Sequence, residues 1–158
     1  MSNVKVKVCG ISNPEMVKQL VKLELDFIGF IFYKKSPRYV SNQIAKNLLN
    51  IDFSNTRPVC VYVNPTKDYV LETSSYFDNP ILQFHGEEPE SFCNSFNLEY
   101  WKAIRVKNSS SFAEILSYQS AKAILLENHK DGLYGGTGEV FDWSLIKGHG
   151  HQNKKIIL

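Results

Sequence analysis

Short apolar runs rich in β-branched residues alternate along this chain with stretches whose apolar positions recur at helical spacing. Residues 4–8 carry valine at every second position, as a strand does. Asn13-Pro14 follows, an N-cap with proline at the first helical position, and Met16, Val17, Leu20 and Val21 then form a helical stripe. Residues 27–32 (FIGFIF) are almost wholly apolar, as a strand covered on both faces is. The alternation predicts a helix at 41–49, a strand at 58–63, a helix at 66–76, a strand at 81–84 and a short helix at 89–96. A strand at 100–106, a helix at 111–118 and a strand at 123–126 come next. A polar loop containing Tyr134-Gly135-Gly136-Thr137-Gly138 leads to a helix near Asp142 and a seventh strand at 155–158.

Strands that begin roughly every 20 to 30 residues, with helical crossovers between them, describe right-handed βαβ units in a parallel sheet. An open doubly wound sheet and a (β/α)8 barrel both satisfy that spacing. The polar residues separate them. An open sheet gathers its functional groups at one switch point, whereas a barrel draws them from the ends of many strands. Here Cys9, Arg38, Asn64, Gln83 with His85, Arg105 and Glu127 stand at or just past the ends of most strands. The expected fold is therefore α/β, a single (β/α)8 TIM-barrel-type domain over residues 1–158, incomplete after about its seventh strand.

Composition narrows the function classes. The chain has 158 residues, 43% of them apolar and 13% aromatic, enough for a real core. Its net charge is +2, and its basic residues are scattered: Lys34-Lys35 and Lys154-Lys155 are too short to make a nucleic-acid surface. No stretch approaches the ~20 apolar residues of a membrane helix, and the N-terminus MSNVKVKVCG has no apolar signal-peptide core. Three cysteines without CxxC spacing argue against a disulfide scaffold and a zinc site, so a reducing, cytoplasmic setting is expected.

Each candidate for chemistry has a plainer alternative. Cys9 ends a short strand before Gly10, where a thiolate can act as base or nucleophile; the alternative is a small buried residue. Cys60, mid-strand, reads as core, and Cys93 sits on a helix. Arg38, after the stiff Ser36-Pro37 turn, offers a planar fork to a carboxylate, or is a solvated surface arginine. Gln83 and His85 are two apart on a strand and point the same way, into a barrel interior, as site residues or as a hydrogen-bonded core pair. Glu127 closes an apolar strand, where a carboxyl can serve as general acid, or it pairs with Lys102 or Arg105. Gly135 and Gly136 belong to a loop that could close over a substrate, or to a plain glycine-rich turn; the segment is neither a Walker A loop nor GxGxxG.

The ordered set is more specific than its members. Lys7-Val8-Cys9-Gly10-Ile11, Gly29-Phe30-Ile31-Phe32-Tyr33 with Ser36-Pro37-Arg38-Tyr39-Val40, and Val61-Tyr62-Val63-Asn64 come first. Leu82-Gln83-Phe84-His85-Gly86, Leu125-Leu126-Glu127, and Tyr134-Gly135-Gly136-Thr137-Gly138 with Phe141-Asp142-Trp143 follow. In that order, and over essentially the whole chain, they closely resemble the phosphoribosylanthranilate isomerases of tryptophan biosynthesis. The resemblance implies a (β/α)8 barrel and a cofactor-free Amadori rearrangement of a small phosphorylated substrate, with no metal. It implies Cys9 as the base and Glu127 at the general acid's position. Arg38 would face the anthranilate end, with Gln83, His85, Gly135 and Gly136 on the substrate side.

Two departures accompany the resemblance. The family's acid is normally Asp, and Glu127 is one methylene longer; small misplacements at a reacting proton can cost on the order of 100-fold in rate. The family also continues beyond Leu158 into the loops that bind the substrate phosphate, so residues 1–158 alone are expected to hold substrate poorly. Two further readings therefore stand beside the isomerase. One is a non-catalytic fragment that folds by pairing open barrel edges with another chain or a second copy. The other is an open flavodoxin-like binding domain, which leaves the strand-end residues without a shared role.

Overall fold

The computed structural model describes residues 4–128 and 154–157. The chain divides into two compact units, Met1–Leu82 and Gln83–Leu158, with the boundary inside the fourth strand.

Unit 1 contains β1 (Lys7–Cys9), α1 (Pro14–Lys22), β2 (Phe27–Ile31), α2 (Asn42–Leu48), β3 (Arg57–Tyr62) and α3 (Lys67–Ser74), and it opens β4 (Ile81–Phe84). β1 pairs with β2 and β2 with β3, all parallel. The first strand is shorter and later than the valine alternation predicts. Val6 N–H donates to the Asp26 carboxylate at 2.8 Å, so a side chain stands where a ladder partner would, and Val4 remains 83% exposed. The helix starts follow the capping signals. Asn13 Oδ1 accepts from the N–H groups of Glu15 (2.8 Å) and Met16 (3.3 Å), with Pro14 behind it. Ser41 and Thr66 cap α2 and α3 in the same way. Of the predicted α1 stripe Val17 is fully buried, while Met16 is half exposed. The core is aromatic: Phe30 stacks on Phe77 at 4.9 Å and Phe32 on Tyr62 at 5.7 Å, and the Tyr62 hydroxyl is satisfied by Thr73 at 2.8 Å.

Unit 2 contains α4 (Glu90–Cys93), β5 (Tyr100–Val106), β6 (Ala123–Asn128) and β7 (Lys155–Ile157). β5, β6 and β7 pair in chain order, all parallel. β6 runs two residues past the predicted end, so Glu127 lies inside it, in register with Arg105. The helix predicted at 111–118 is a 3-10 helix, Ser109–Ser117. Asn108 Oδ1 accepts from Ser110 N–H at 3.0 Å, and Ser111 Oγ accepts from the N–H groups of Lys107 and Asn108. Such local bonds compete with the α-helical ladder. The loop with Gly135 and Gly136, and the helix near Asp142, lie outside the described residues.

Lys102, in the middle of the apolar strand β5, is fully buried. Its Nζ donates to the carbonyls of Gly86 (2.6 Å), Ala103 (3.1 Å) and Phe84 (3.4 Å) and faces Glu88 Oε2 at 3.4 Å, above the Tyr118 ring. The Tyr118 hydroxyl donates to the Glu88 carbonyl at 2.9 Å. One buried cation thus ties β5 to the turn that follows β4. Removing one member of a buried ion pair costs about 3–5 kcal/mol, because it strands the other. Lys102→Met is expected to lower the urea midpoint accordingly, and Lys102→Met with Glu88→Leu to recover part of the loss. Two independent, additive effects would contradict this coupling.

Candidate functional site

In unit 1 the functional groups collect at the C-terminal end of β1. Cys9 is the last residue of that strand and lies opposite Gly29. Gly10 turns the chain away with φ +85, a conformation that favours glycine, and both Gly10 N–H and Ile11 N–H donate to the Gly29 carbonyl (2.8 and 3.3 Å). Gly29 also makes room for the thiol: a Cβ there would stand 2.6 Å from Cys9 Sγ. A glycine inside a buried strand marks such a close approach, and this is the signal by which sequence alone could have found it. Gly10 is hemmed in by Arg38, whose Cδ and Nη1 would each lie 2.7 Å from an added Cβ. Arg38 Nη1 donates to the Cys9 carbonyl at 3.1 Å, and Ser36 Oγ accepts from Arg38 N–H at 3.2 Å. The structure therefore brings Cys9 and Arg38 together.

The other thiols differ. Cys60 and Cys93 are both fully buried, as the sequence reading expected for Cys60. Burial pushes the Cys60 thiol far above its ordinary value. Cys93 is pushed up to about 12 by burial and then by the Glu88 carboxylate. Cys9 is the partly exposed one of the three.

In unit 2, Gln83, His85 and Glu127 come together. Gln83, 1% exposed, places its Nε2 3.0 Å from His85 Nδ1. His85 Nε2 lies 2.9 Å from Glu127 Oε1, with side chains 11% and 15% exposed. The contact is close but bent away from hydrogen-bond alignment, and neither atom has a hydrogen-bond partner among the described residues. The ion pairs of the two basic residues considered for Glu127 lie elsewhere: Lys102 with Glu88, Arg105 with Glu87. Glu88, 4% exposed, went unnoticed in the sequence, although a lysine amid the apolar run YWKAIRV implies a buried partner. A concavity of about 660 Å³ in this unit, beside Asn97, Tyr100, Gln119 and Lys154, lies near the N-terminal ends of its strands, away from Glu127. Gly135 and Gly136 lie outside the described residues. Among those residues no cluster of three or more His, Cys, Asp or Glu is arranged to hold a metal, and no helix is long and apolar enough to cross a membrane.

Comparison with known proteins bears on the whole chain. The model of the family "N-(5'phosphoribosyl)anthranilate (PRA) isomerase" matches residues 6–158. N-(5'-phosphoribosyl)anthranilate isomerase of Nitrosomonas europaea is 41% identical over 144 residues, which cover 90% of this chain and 68% of that protein. The crystal structure of phosphoribosyl anthranilate isomerase from Thermotoga maritima superposes with a TM-score of 0.77 at 37% identity, over 90% of this chain and 70% of that one. A crystal structure of a phosphoribosyl anthranilate isomerase in complex with reduced 1-(o-carboxyphenylamino)-1-deoxyribulose 5-phosphate gives a TM-score of 0.69 at 34% identity, over 80% of this chain and 66% of that one. The fold is that of the TIM-barrel-type α/β proteins, as the strand-end distribution of polar residues predicted.

Two outcomes follow from the surroundings of Cys9. In the native protein an aromatic disulfide reagent is expected to titrate one fast thiol, absent from Cys9→Ser, with the other two reacting only on unfolding. Gly29→Ala is expected to destabilise by about 1–3 kcal/mol through overpacking, and Cys9→Ala in the same chain to restore most of that in urea unfolding. An undiminished penalty would show that the thiol is not the obstructing group.

Proposed function

Because this chain belongs to the N-(5'-phosphoribosyl)anthranilate isomerase family, we propose that it catalyses the Amadori rearrangement of N-(5'-phosphoribosyl)anthranilate to 1-(2-carboxyphenylamino)-1-deoxyribulose 5-phosphate, in tryptophan biosynthesis. The observation that carries this reading is the family match over residues 6–158. The local structure supports it, with a partly exposed thiol ending β1 and a half-sheltered carboxyl near the end of β6.

The reaction moves protons within one molecule. Glu127 is the general acid: its proton goes to the ring oxygen, the C1′–O bond breaks, and the furanose opens to a Schiff base. Cys9, as thiolate, is the general base: it removes the proton on C2′, leaving an enolamine that tautomerises to the ketone. No electrons are exchanged with another reagent, so the reading needs no cofactor and no metal. Arg38 faces the anthranilate end of the substrate, and Gln83, His85, Gly135 and Gly136 complete the substrate side. In this reading residues 1–158 belong to one barrel domain of a cytoplasmic enzyme. Association with a second copy of the chain is part of the same proposal. Nothing in the comparisons favours a non-catalytic fragment.

The test is conversion of phosphoribosylanthranilate, followed by the loss of its fluorescence. General acid and base groups are each worth roughly 100- to 10,000-fold, so Cys9→Ala and Glu127→Ala are each expected to lower kcat by at least about 100-fold. Full activity in Glu127→Ala would remove Glu127 from the acid's role. No conversion by the unaltered protein would remove the isomerase reading itself.

A further inference from the structure

We propose that Gln83 and His85 are positioning residues for Glu127: Gln83 sets the His85 tautomer, and His85 decides which Glu127 oxygen carries the transferable proton. This goes beyond a substrate-lining role. It rests on the isomerase reading only for the destination of that proton.

The argument begins with donors and acceptors. An amide NH2 can only donate. With Gln83 Nε2 3.0 Å from His85 Nδ1, the ring nitrogen is the acceptor and carries no proton. The ring is then neutral, with its single hydrogen on Nε2. That nitrogen lies 2.9 Å from Glu127 Oε1. An N–H facing Oε1 leaves that oxygen as acceptor, so the acidic proton of Glu127 belongs on Oε2. When Oε2 gives up its proton, the charge left on the carboxylate already faces a donor. In the opposite amide orientation the Gln83 oxygen would accept from Nδ1–H and leave Nε2 bare. Glu127 could then approach only by placing its proton on Oε1, spent on the ring instead of the substrate.

Burial makes the arrangement matter. Both facing atoms are buried and have no hydrogen-bond partner among the described residues, so each stays unsatisfied until their 2.9 Å contact straightens. The contact is bent, as catalytic hydrogen bonds often are before substrate draws them into line. The charged neighbour on the adjacent strand is Arg105, in register with Glu127 and paired to Glu87 at 3.2 Å. His85 also suits the length of the acid. Glu127 carries one methylene more than Asp, and a fixed donor at Oε1 restrains the added torsion.

The first measurement needs no turnover. Two-bond proton–nitrogen correlation spectra of histidine-labelled protein at neutral pH, assigned by the signal lost in His85→Asn, are expected to show a neutral ring protonated on Nε2. Gln83→Leu is expected to erode that preference. A neutral ring protonated on Nδ1, or an imidazolium, would overturn the proposal. The second measurement is kinetic. His85→Leu is expected to lower kcat roughly 10- to 100-fold at nearly constant KM, and His85→Gln, whose amide N–H can reach the Nε2 position, to recover much of it. A raised KM with kcat intact would confine His85 to a substrate-lining role and overturn the proposal. Failure of the isomerase reading is distinguishable: it appears as no conversion of phosphoribosylanthranilate by the unaltered protein, whatever the tautomer.

Discussion

Parallel pairing is the constraint on which the rest of this structure depends. Two parallel strands cannot be joined by a tight turn, because the chain must return to the starting end before the next strand begins. Each return is made by an outer segment, so successive strands of a unit end on the same side. In unit 1 this puts Cys9 at the end of β1, beside the turn that bears Arg38. In unit 2 it puts His85 just past β4 and Glu127 near the end of β6. Strand cores are then free to be apolar while strand ends carry chemistry.

That division is kept by residues that take no part in chemistry. Gly29 is one: the close approach of β2 to the Cys9 thiol leaves no room for a methyl group. Lys102 is another. A charge at the centre of a fully buried strand would be costly alone, but here it binds three carbonyls and a carboxylate and fixes the turn at Gly86 to Glu88, next to His85. Its neighbours Phe84, Tyr100 and Ile104 are fully buried, so the network is shielded from water. The strand-end groups keep their geometry because what lies beneath them is over-determined.

The thiols show how position converts one residue type into different chemistry. Burial holds Cys60 and Cys93 in their neutral form, and the Glu88 charge adds to this at Cys93. Neither suits proton abstraction. Cys9, at a strand end with glycines on either side of its thiol and its turn, is the accessible one. The carboxylates divide similarly: Glu87 is on the surface with Arg105, Glu88 serves the Lys102 network, and Glu127 meets a histidine.

The sequence by itself determined the alternation of strands and helices, the parallel fold class, the cap at Asn13, and the strand-end residues worth watching. These are legible because they depend on local periodicity, on turn stereochemistry and on which residue types a buried strand admits. It misjudged the start of β1, where the Asp26 side chain displaces a ladder bond, and the 3-10 segment, where Asn108 and Ser111 outcompete the α-helical pattern. Contacts between residues distant in the chain were decided only by tertiary structure. The sequence offered Glu127 two partners, Lys102 and Arg105, and folding placed His85 against it instead while engaging Lys102 and Arg105 with Glu88 and Glu87. The sequence places Gly29 inside an apolar strand, and only folding sets Cys9 Sγ against it. Periodicity tells which face a side chain takes, but only packing tells what it meets there.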